Sequence, residues 1–329
     1  MNAPLLRESW ETDEPLVAPV NAVINVQSGC NSKCVYCDCW QHPVTDNGGV
    51  ETWLGIIPQL AGLGVREVVF SGGEPLMNAG LARIVRGVAD AGMRAHVITN
   101  GILLTRARAQ SLLEAGLTGL TVSVDSMDPE IYQSVRGAPV AVAIRALDVL
   151  ESLREPRLYR AINTVVTRTN LGELERMVDE AERRGLCVSF QAYTSTPEAA
   201  IPGLAPGPEE EAQVDEVIGR LLARRAAGAP ISTTPGYLLG VAAWLCRRAL
   251  PDDFRCYAGF VGVNIDGARQ VRGCWMMDAV GNAEATPVAE IWHGSDFRAT
   301  RARMRKLDCP NCWLLCHTDV AGICREGRT

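Results

Sequence analysis

The sequence predicts an α/β protein, a partial (βα)6 barrel of parallel strands with a small C-terminal α+β domain. Short β-branched apolar runs alternate with amphipathic stretches from residue 22 to 191. Glycines stand where several of the amphipathic stretches end. Beyond residue 253 the pattern changes to a hairpin, a helix and a cysteine-rich tail.

Residues 1–21 form an N-terminal extension. Candidate strands follow at 22–26, 67–71, 94–99, 119–124, 161–166 and 187–191. Each is an uninterrupted apolar run, the character of a parallel strand covered on both faces. Helices are expected between them, for example at 81–91, 106–115, 140–153 and 171–184, with Gly92, Gly116 and Gly185 as C-terminal caps. These units make the barrel core, 22–191. Residues 192–253 read as linker and helices: a Pro, Thr and Gly-rich loop to 208, a polar helix over 209–226, and a buried helix over 237–246. The last region, 254–329, opens with a hairpin of 261–265 and 270–273 across Asp266-Gly267, followed by a helix over 297–307.

A chain of 329 residues with 47% hydrophobic content can bury one large core and a smaller satellite. No apolar segment follows a basic N-terminus, and the uncharged stretch 229–246 is interrupted by Pro235. Neither a signal peptide nor a membrane span is expected, and the expected location is cytoplasmic. The formal charge of -6 argues against a nucleic-acid surface, which needs a basic stripe to displace counterions. The Arg-rich run 298–306 reads as a solvated helix face.

The 12 cysteines are the informative residues. In a chain of cytoplasmic type, clustered thiols point to metal rather than to disulfides. Cys30, Cys34 and Cys37 lie together with Cys39 beside them, and six more crowd between Cys256 and Cys324. The run Cys30-Asn-Ser-Lys-Cys34-Val-Tyr-Cys37 directly follows the first strand, so its thiolates belong at the C-terminal mouth of the sheet, where α/β folds place their sites. Three thiolates hold three irons of a cubane and leave the fourth open, whereas a closed electron carrier uses four ligands. A structural zinc is the competing reading, with Cys39 or His42 as its fourth ligand.

Further polar groups fall in order at later strand ends: Ser71-Gly72-Gly73-Glu74-Pro75, Thr99-Asn100-Gly101, Ser123-Val-Asp125-Ser126, then Asn163 and Gln191. Glycine lets the backbone pass close to a ligand, and Glu74 with the strand-edge carbonyls offers acceptors to an ammonium group.

The C-x3-C-x2-C spacing with an aromatic residue before its last Cys, followed by Gly-Gly-Glu-Pro, resembles the signature of the radical S-adenosylmethionine (SAM) superfamily. The resemblance covers roughly residues 22–191. It implies a 4Fe-4S cluster on Cys30, Cys34 and Cys37 whose open iron chelates SAM. One electron then cleaves the sulfonium to give a 5′-deoxyadenosyl radical. Tyr36 corresponds to the residue that packs near the adenine. Gly72, Gly73, Glu74 and Pro75 correspond to the family's Gly-Gly-Glu motif in the cofactor-binding set, and Asn100, Ser123 and Asp125 to positions holding the cofactor's ribose and carboxylate. Asn163 and Gln191 extend that cofactor-binding set. A flavodoxin- or ferredoxin-type electron donor is implied as partner.

The C-terminal cysteines, with Asn264-Ile-Asp-Gly267 before Cys274 and Glu290-Ile-Trp292 after it, are similar to the SPASM and twitch domains that carry auxiliary clusters. A full SPASM tail runs C-x2-C-x5-C-x3-C, whereas this one runs C-x2-C-x3-C and then seven residues to Cys324. The resemblance implies at least one auxiliary 4Fe-4S cluster on Cys256, Cys274, Cys309 and Cys312. Cys316 and Cys324 are alternative ligands or members of a second cluster. A zinc knuckle is the alternative use of the same thiols, and Cys39, Cys187 and Cys246 read as small apolar residues.

The implied reaction is hydrogen-atom abstraction from a polar small molecule, such as a sugar, cyclitol or nucleoside in natural-product biosynthesis, ending in oxidation, decarboxylation or epimerisation. The short segment before the first strand favours this over a peptide-modifying maturase, for which it leaves no N-terminal peptide-binding module. A non-catalytic iron–sulfur or zinc-binding protein is the third reading.

Overall fold

The computed structural model describes residues 2–41, 47–195, 201–252 and 254–315. Nine strands, β1 (Asn21–Ile24), β2 (Glu67–Phe70), β3 (Arg94–Thr99), β4 (Gly119–Ser123), β5 (Tyr159–Val166), β6 (Cys187–Ala192), β7 (Gly262–Ile265), β8 (Gln270–Arg272) and β9 (Gly281–Asn282), form one sheet in the order β6-β5-β4-β3-β2-β1-β7-β8-β9. Strands β1 to β6 run parallel, and β7 adds to the other edge of β1, also parallel, with Asn21 opposite Gly262 and Ile24 opposite Ile265. Only β8 and β9 are antiparallel. The hairpin thus continues the barrel sheet, which stays open.

The helices are α1 (Ala3–Thr12), α2 (Val50–Leu63), α3 (Leu81–Asp90), α4 (Arg106–Glu114), α5 (Pro129–Arg136), α6 (Ala141–Ser152), α7 (Leu174–Arg184), α8 (Glu211–Ala226), α9 (Pro235–Leu239), α10 (Val241–Arg247), α11 (Ala258–Val261), α12 (Val288–His293) and α13 (Ser295–Arg305). Helix α1, unread in the sequence, is capped by Asn2, whose Oδ1 accepts from Leu5 N at 3.2 Å. Where one helix was expected over 171–184, a 3-10 turn at Arg168–Glu173 precedes α7, because Thr167 and Asn170 close a capping box there. The expected helix over 237–246 is two. Its break falls at Gly240, where a Cβ would lie 2.2 Å from Trp313 Cζ2, and Trp313 Nε1 donates to Tyr237 O at 3.0 Å.

The strands are not covered equally on both faces. Ala22, Ile24, Val68, Phe70, Ala95, Val97, Leu120, Val122, Ile162, Val188 and Phe190 are fully buried beneath the helices. Most of the alternating residues are only half-buried, because the open sheet leaves its inner face uncovered by helices. That face is largely polar. His96 Nε2 and Thr121 Oγ1 are 2.8 Å apart, and Ser189 Oγ donates to Asn163 Oδ1 at 2.9 Å.

The Arg-rich helix is not simply a solvated face. Arg301 is fully buried, its guanidinium 4.3 Å from the Phe297 ring centroid and 4.5 Å from that of Trp292, and it donates to Gly259 O and Trp292 O at 2.8 Å each. Arg305 forks onto Asp13 and Arg298 pairs with Glu14, tying α13 to the end of α1. No helix among the described residues is long and apolar enough to cross a membrane.

Candidate functional site

The chain leaves β1 into the cysteine loop, which is pinned to the end of α5. Val35 N donates to Val135 O at 2.9 Å, and Ser32 Oγ donates to Arg136 O at 3.1 Å. Cys34 is buried while Cys30 and Cys37 are half-buried. Donors converge on the sulfurs: Ser32 N lies 3.5 Å and Asn100 Nδ2 3.6 Å from Cys30 Sγ, and Ser32 Oγ lies 3.2 Å from Cys34 Sγ. Burial pushes the Cys30 thiol up, whereas a hydrogen bond from the Cys39 thiol brings Cys37 down to about 6. Cys39 is therefore more than apolar filling, and its own pKa is raised by serving Cys37. His42 lies outside the described residues.

Among the described residues, only Cys37, Asp38 and Cys39 bring three ligand atoms within 4.8 Å of one another. A tetrahedral zinc, with bonds of about 2.3 Å, would hold its sulfurs roughly 3.8 Å apart. The sulfurs of Cys30, Cys34 and Cys37 do not all lie within 4.8 Å of one another, nor do those of any three among Cys256, Cys274, Cys309 and Cys312. The donor sets fit thiolate sites for a polynuclear cluster better than mononuclear zinc.

Gly72 and Gly73 pack against the cysteine loop itself. Gly72 has φ +104 and a Cβ there would lie 2.4 Å from Asn25 Cγ; on Gly73 it would lie 2.1 Å from Gly29 O. Gly73 N and Glu74 N bond Gln27 O and Gly29 O, both at 3.0 Å, and buried Pro75 opens a 3-10 turn. Glu74 is only 1% exposed. Its Oε1 accepts from Thr99 Oγ1 at 2.7 Å and Leu76 N at 3.0 Å, and its Oε2 from Asn100 N at 2.8 Å. Burial raises its pKa against the pull of these three donors. The carboxylate joins the loops after β2 and β3.

Asp125 is likewise enclosed, at 0% exposure. Tyr36 Oη donates to Oδ2 at 2.7 Å, Arg136 forks onto both oxygens at 2.6 and 3.0 Å, and Val165 N reaches Oδ1 at 2.8 Å. Both oxygens of its carboxylate are thus engaged by groups of the chain, which tie it to the cysteine loop through Tyr36. Tyr36 carries the Arg136 guanidinium 5.4 Å from its ring centroid. Sequence reasoning missed Arg136. Its only signal was a cation closing a helix that begins Asp128-Pro129, three residues after Asp125.

Asn100 is nearly buried and donates to Asn31 Oδ1 at 2.8 Å. Ser123 pairs with Asn163 and Asn163 with Ser189 across neighbouring strands, and Gln191 stands opposite Val165. Ser123, Asn163 and Gln191 share the inner face with half-buried Cys187. Cys246 is buried in α10, as a small apolar residue would be.

A second set of thiols gathers beside the hairpin. Cys274 packs with Ala258, Met277 and Met304, with Cys256, Cys309 and Met276 around them. Burial, then the neighbouring Cys312, Cys274 and Cys309, push the Cys256 thiol well up, and burial takes Cys274 to about 11. Metal ligation there would require these thiols to give up their protons. Cys316 and Cys324 lie outside the described residues.

Three comparisons bear on this arrangement. The family model described as the radical SAM superfamily matches residues 24–188. An AdoMet-dependent heme synthase of Nitratidesulfovibrio vulgaris is 25% identical over 84% of this chain and 80% of its own. A PqqA peptide cyclase of Bradyrhizobium diazoefficiens is 31% identical over 53% of this chain and 46% of its own, and a GTP 3′,8-cyclase of Chlorobaculum tepidum 37% identical over 51% of each. The chain thus spans about half the length of most of these curated relatives. Among solved structures, Streptococcus suis SuiB bound to S-adenosylmethionine superposes with a TM-score of 0.73 at 15% identity, over 91% of this chain and 71% of that one. The enzyme anSMEcpe with bound AdoMet gives 0.67 at 16%, over 85% and 82%. These likenesses show a shared fold. With the three-thiol loop at the mouth of a parallel sheet and the family match running over half the sequence, the chain belongs to the radical SAM superfamily of enzymes.

Proposed function

We propose that Cys30, Cys34 and Cys37 hold a 4Fe-4S cluster that binds S-adenosylmethionine, and that the enzyme abstracts a hydrogen atom from a polar substrate lodged on the inner face of the sheet. The observation that carries this reading is three thiols at the mouth of a parallel sheet whose inner face bears Ser123, Asn163, Ser189 and Gln191. When bound, the cluster with its sulfonium ligand supplies one electron and a carbon radical able to break an unactivated C–H bond. The chain's own part is placement. Asn100 steadies Cys30 Sγ and Asn31, and Glu74 fixes Asn100. Tyr36 offers the ring face away from Arg136 to an adenine. Ser123, Asn163 and Gln191 provide hydrogen-bond partners for hydroxyl or amide groups, holding one carbon in register for attack. Gly72, Gly73 and Pro75 shape the wall, while Glu74 and Asp125 support it from behind.

Cys256, Cys274, Cys309 and Cys312 are proposed to hold an auxiliary 4Fe-4S cluster, with Cys316 and Cys324 available to it or to another. A flavodoxin- or ferredoxin-type protein is the proposed electron donor.

Within this reading a sugar-, cyclitol- or nucleoside-like substrate matches the polar inner face. A peptide substrate has equal support from the likeness to PqqA peptide cyclase. The test is reductant-dependent formation of 5′-deoxyadenosine, followed by transfer of deuterium into it from labelled candidates. Label from a polar small molecule supports the first substrate class, and label from a peptide side chain the second. No 5′-deoxyadenosine from protein holding its full iron would refute the reading.

A further inference from the structure

We propose that Arg136 is a positioning residue for the cysteine loop whose guanidinium also brings a fixed positive charge to the Cys34 sulfur, setting the reduction potential of the cluster held there. This rests on the reading of the three thiols as cluster ligands. Arg136 is the last residue of α5, and the end of that helix grips the loop on both sides of Cys34. Val35 N bonds Val135 O at 2.9 Å, and Ser32 Oγ bonds Arg136 O at 3.1 Å. The next residue, Gly137 at φ +66, is packed so closely that a Cβ would lie 3.0 Å from Lys33 O. Through these contacts the main chain of Val135 and Arg136 positions the loop. The side chain does something else.

Two of the three guanidinium nitrogens are committed to Asp125, Nε at 2.6 Å and Nη2 at 3.0 Å, leaving Nη1 at 3.8 Å from Cys34 Sγ. Asp125 is held in turn by Val165 N and Tyr36 Oη, so the fork has one orientation. The side chains of Arg136 and Asp125 are 6% and 0% exposed, which limits solvent screening of the charge. The cationic member of the pair is the one within reach of the sulfur. The C-terminal carbonyls of α5 face the cysteine loop at Val35 N and Ser32 Oγ, and the Arg136 cation offsets the negative end of the helix there. Reduction adds an electron to thiolate-ligated iron, and both a nearby cation and a hydrogen bond to sulfur stabilise the reduced state.

The test is a redox titration of the full-length, anaerobically reconstituted protein, following the electron-paramagnetic-resonance signal perturbed by added SAM. Iron content and melting of the apoprotein are measured alongside. The double variant Asp125→Asn/Arg136→Met removes the buried pair without orphaning a carboxylate. It should keep its iron yet be about tenfold more oxidised at a fixed ambient potential, a downward shift of about 59 mV for one electron. Asp125→Asn alone leaves the cation uncompensated beside Cys34 and should shift the potential upward. Arg184→Met, which breaks another buried arginine's pairing with Glu180 and Asp148 on α7 and α6, should lower the melting temperature with no shift. Opposite shifts in the two Asp125 variants are a signature that a purely structural role would not give. An unchanged potential in a double variant with full iron overturns the proposal. Should the double variant fail to fold, an unchanged potential in Asp125→Asn overturns it equally. Wild-type protein without a SAM-responsive cluster would refute the underlying reading instead.

Discussion

His96 sits on β3 with its ring against Tyr159 and its Nε2 2.8 Å from Thr121 Oγ1. Burial, with a lesser contribution from the Arg94 charge, lowers its pKa from 6.5 to about 4. The unfolded chain therefore takes up a proton at His96 before the folded one does. Stability from this group is complete above about pH 6.5 and falls as pH drops toward 4, by about 3 kcal/mol in all. Urea denaturation of the apoprotein across that range should show the loss, and His96→Gln should flatten it; an unaltered slope in the variant would dismiss the assignment. At the cysteine loop, Cys34→Ala should remove about four irons per chain and abolish 5′-deoxyadenosine formation. Glu74→Ala leaves three buried donors without their acceptor and should cost about 1–3 kcal/mol in denaturant melts, with weaker SAM binding by equilibrium dialysis. The three cysteines were legible because their ligand spacing is short and contiguous. The enclosure of Glu74 and Asp125 was not, since a motif gives a residue's chemistry but not which way its carboxylate turns. Arg136 was hidden for the same reason: its partners lie 11 and 100 positions away in sequence, at Asp125 and Tyr36.

At the scale of elements, the strand and helix alternation was readable because β-branched runs and helical periodicity are local signals. Gly185 closes α7 at φ 64, as its position suggested. The failures have particular causes. Gly240 splits a helix because Trp313, distant in sequence, needs the space, and α1 announces itself through an Asn cap and a proline in its first turn. The Arg-rich helix misled because Arg301 matches a solvated face in composition yet is buried among three rings. Arg301 links α13 to Gly259, three residues beyond Cys256, while Met304 on the same helix packs with Cys274. Arg301→Ala should therefore loosen the second thiol set. Its iron, about four per chain, should be lost while the SAM-responsive cluster stays, a pattern measurable by iron analysis together with spin quantitation.

For the whole molecule, the two thiol sets give a stoichiometry. Anaerobically purified protein should hold about eight irons and eight sulfides per chain if each set carries one cubane, and about twelve if the tail supplies a second auxiliary cluster. About four would eliminate the auxiliary site. The sequence suggested a barrel followed by a separate appendage, because the pattern changes after residue 191. In the folded chain the hairpin pairs with β1, since a parallel edge with unpaired amides finds its partner wherever the chain can supply one.

That pairing along Asn21 to Ile24 and Gly262 to Ile265 has a practical corollary. A nick between α10 and α11 would leave the larger fragment with a sticky edge, prone to self-association, and the smaller one with an unsupported hairpin. Produced together, the two pieces should find each other and reconstitute a soluble brown complex, so that protein fragment complementation reports directly on the β1–β7 seam.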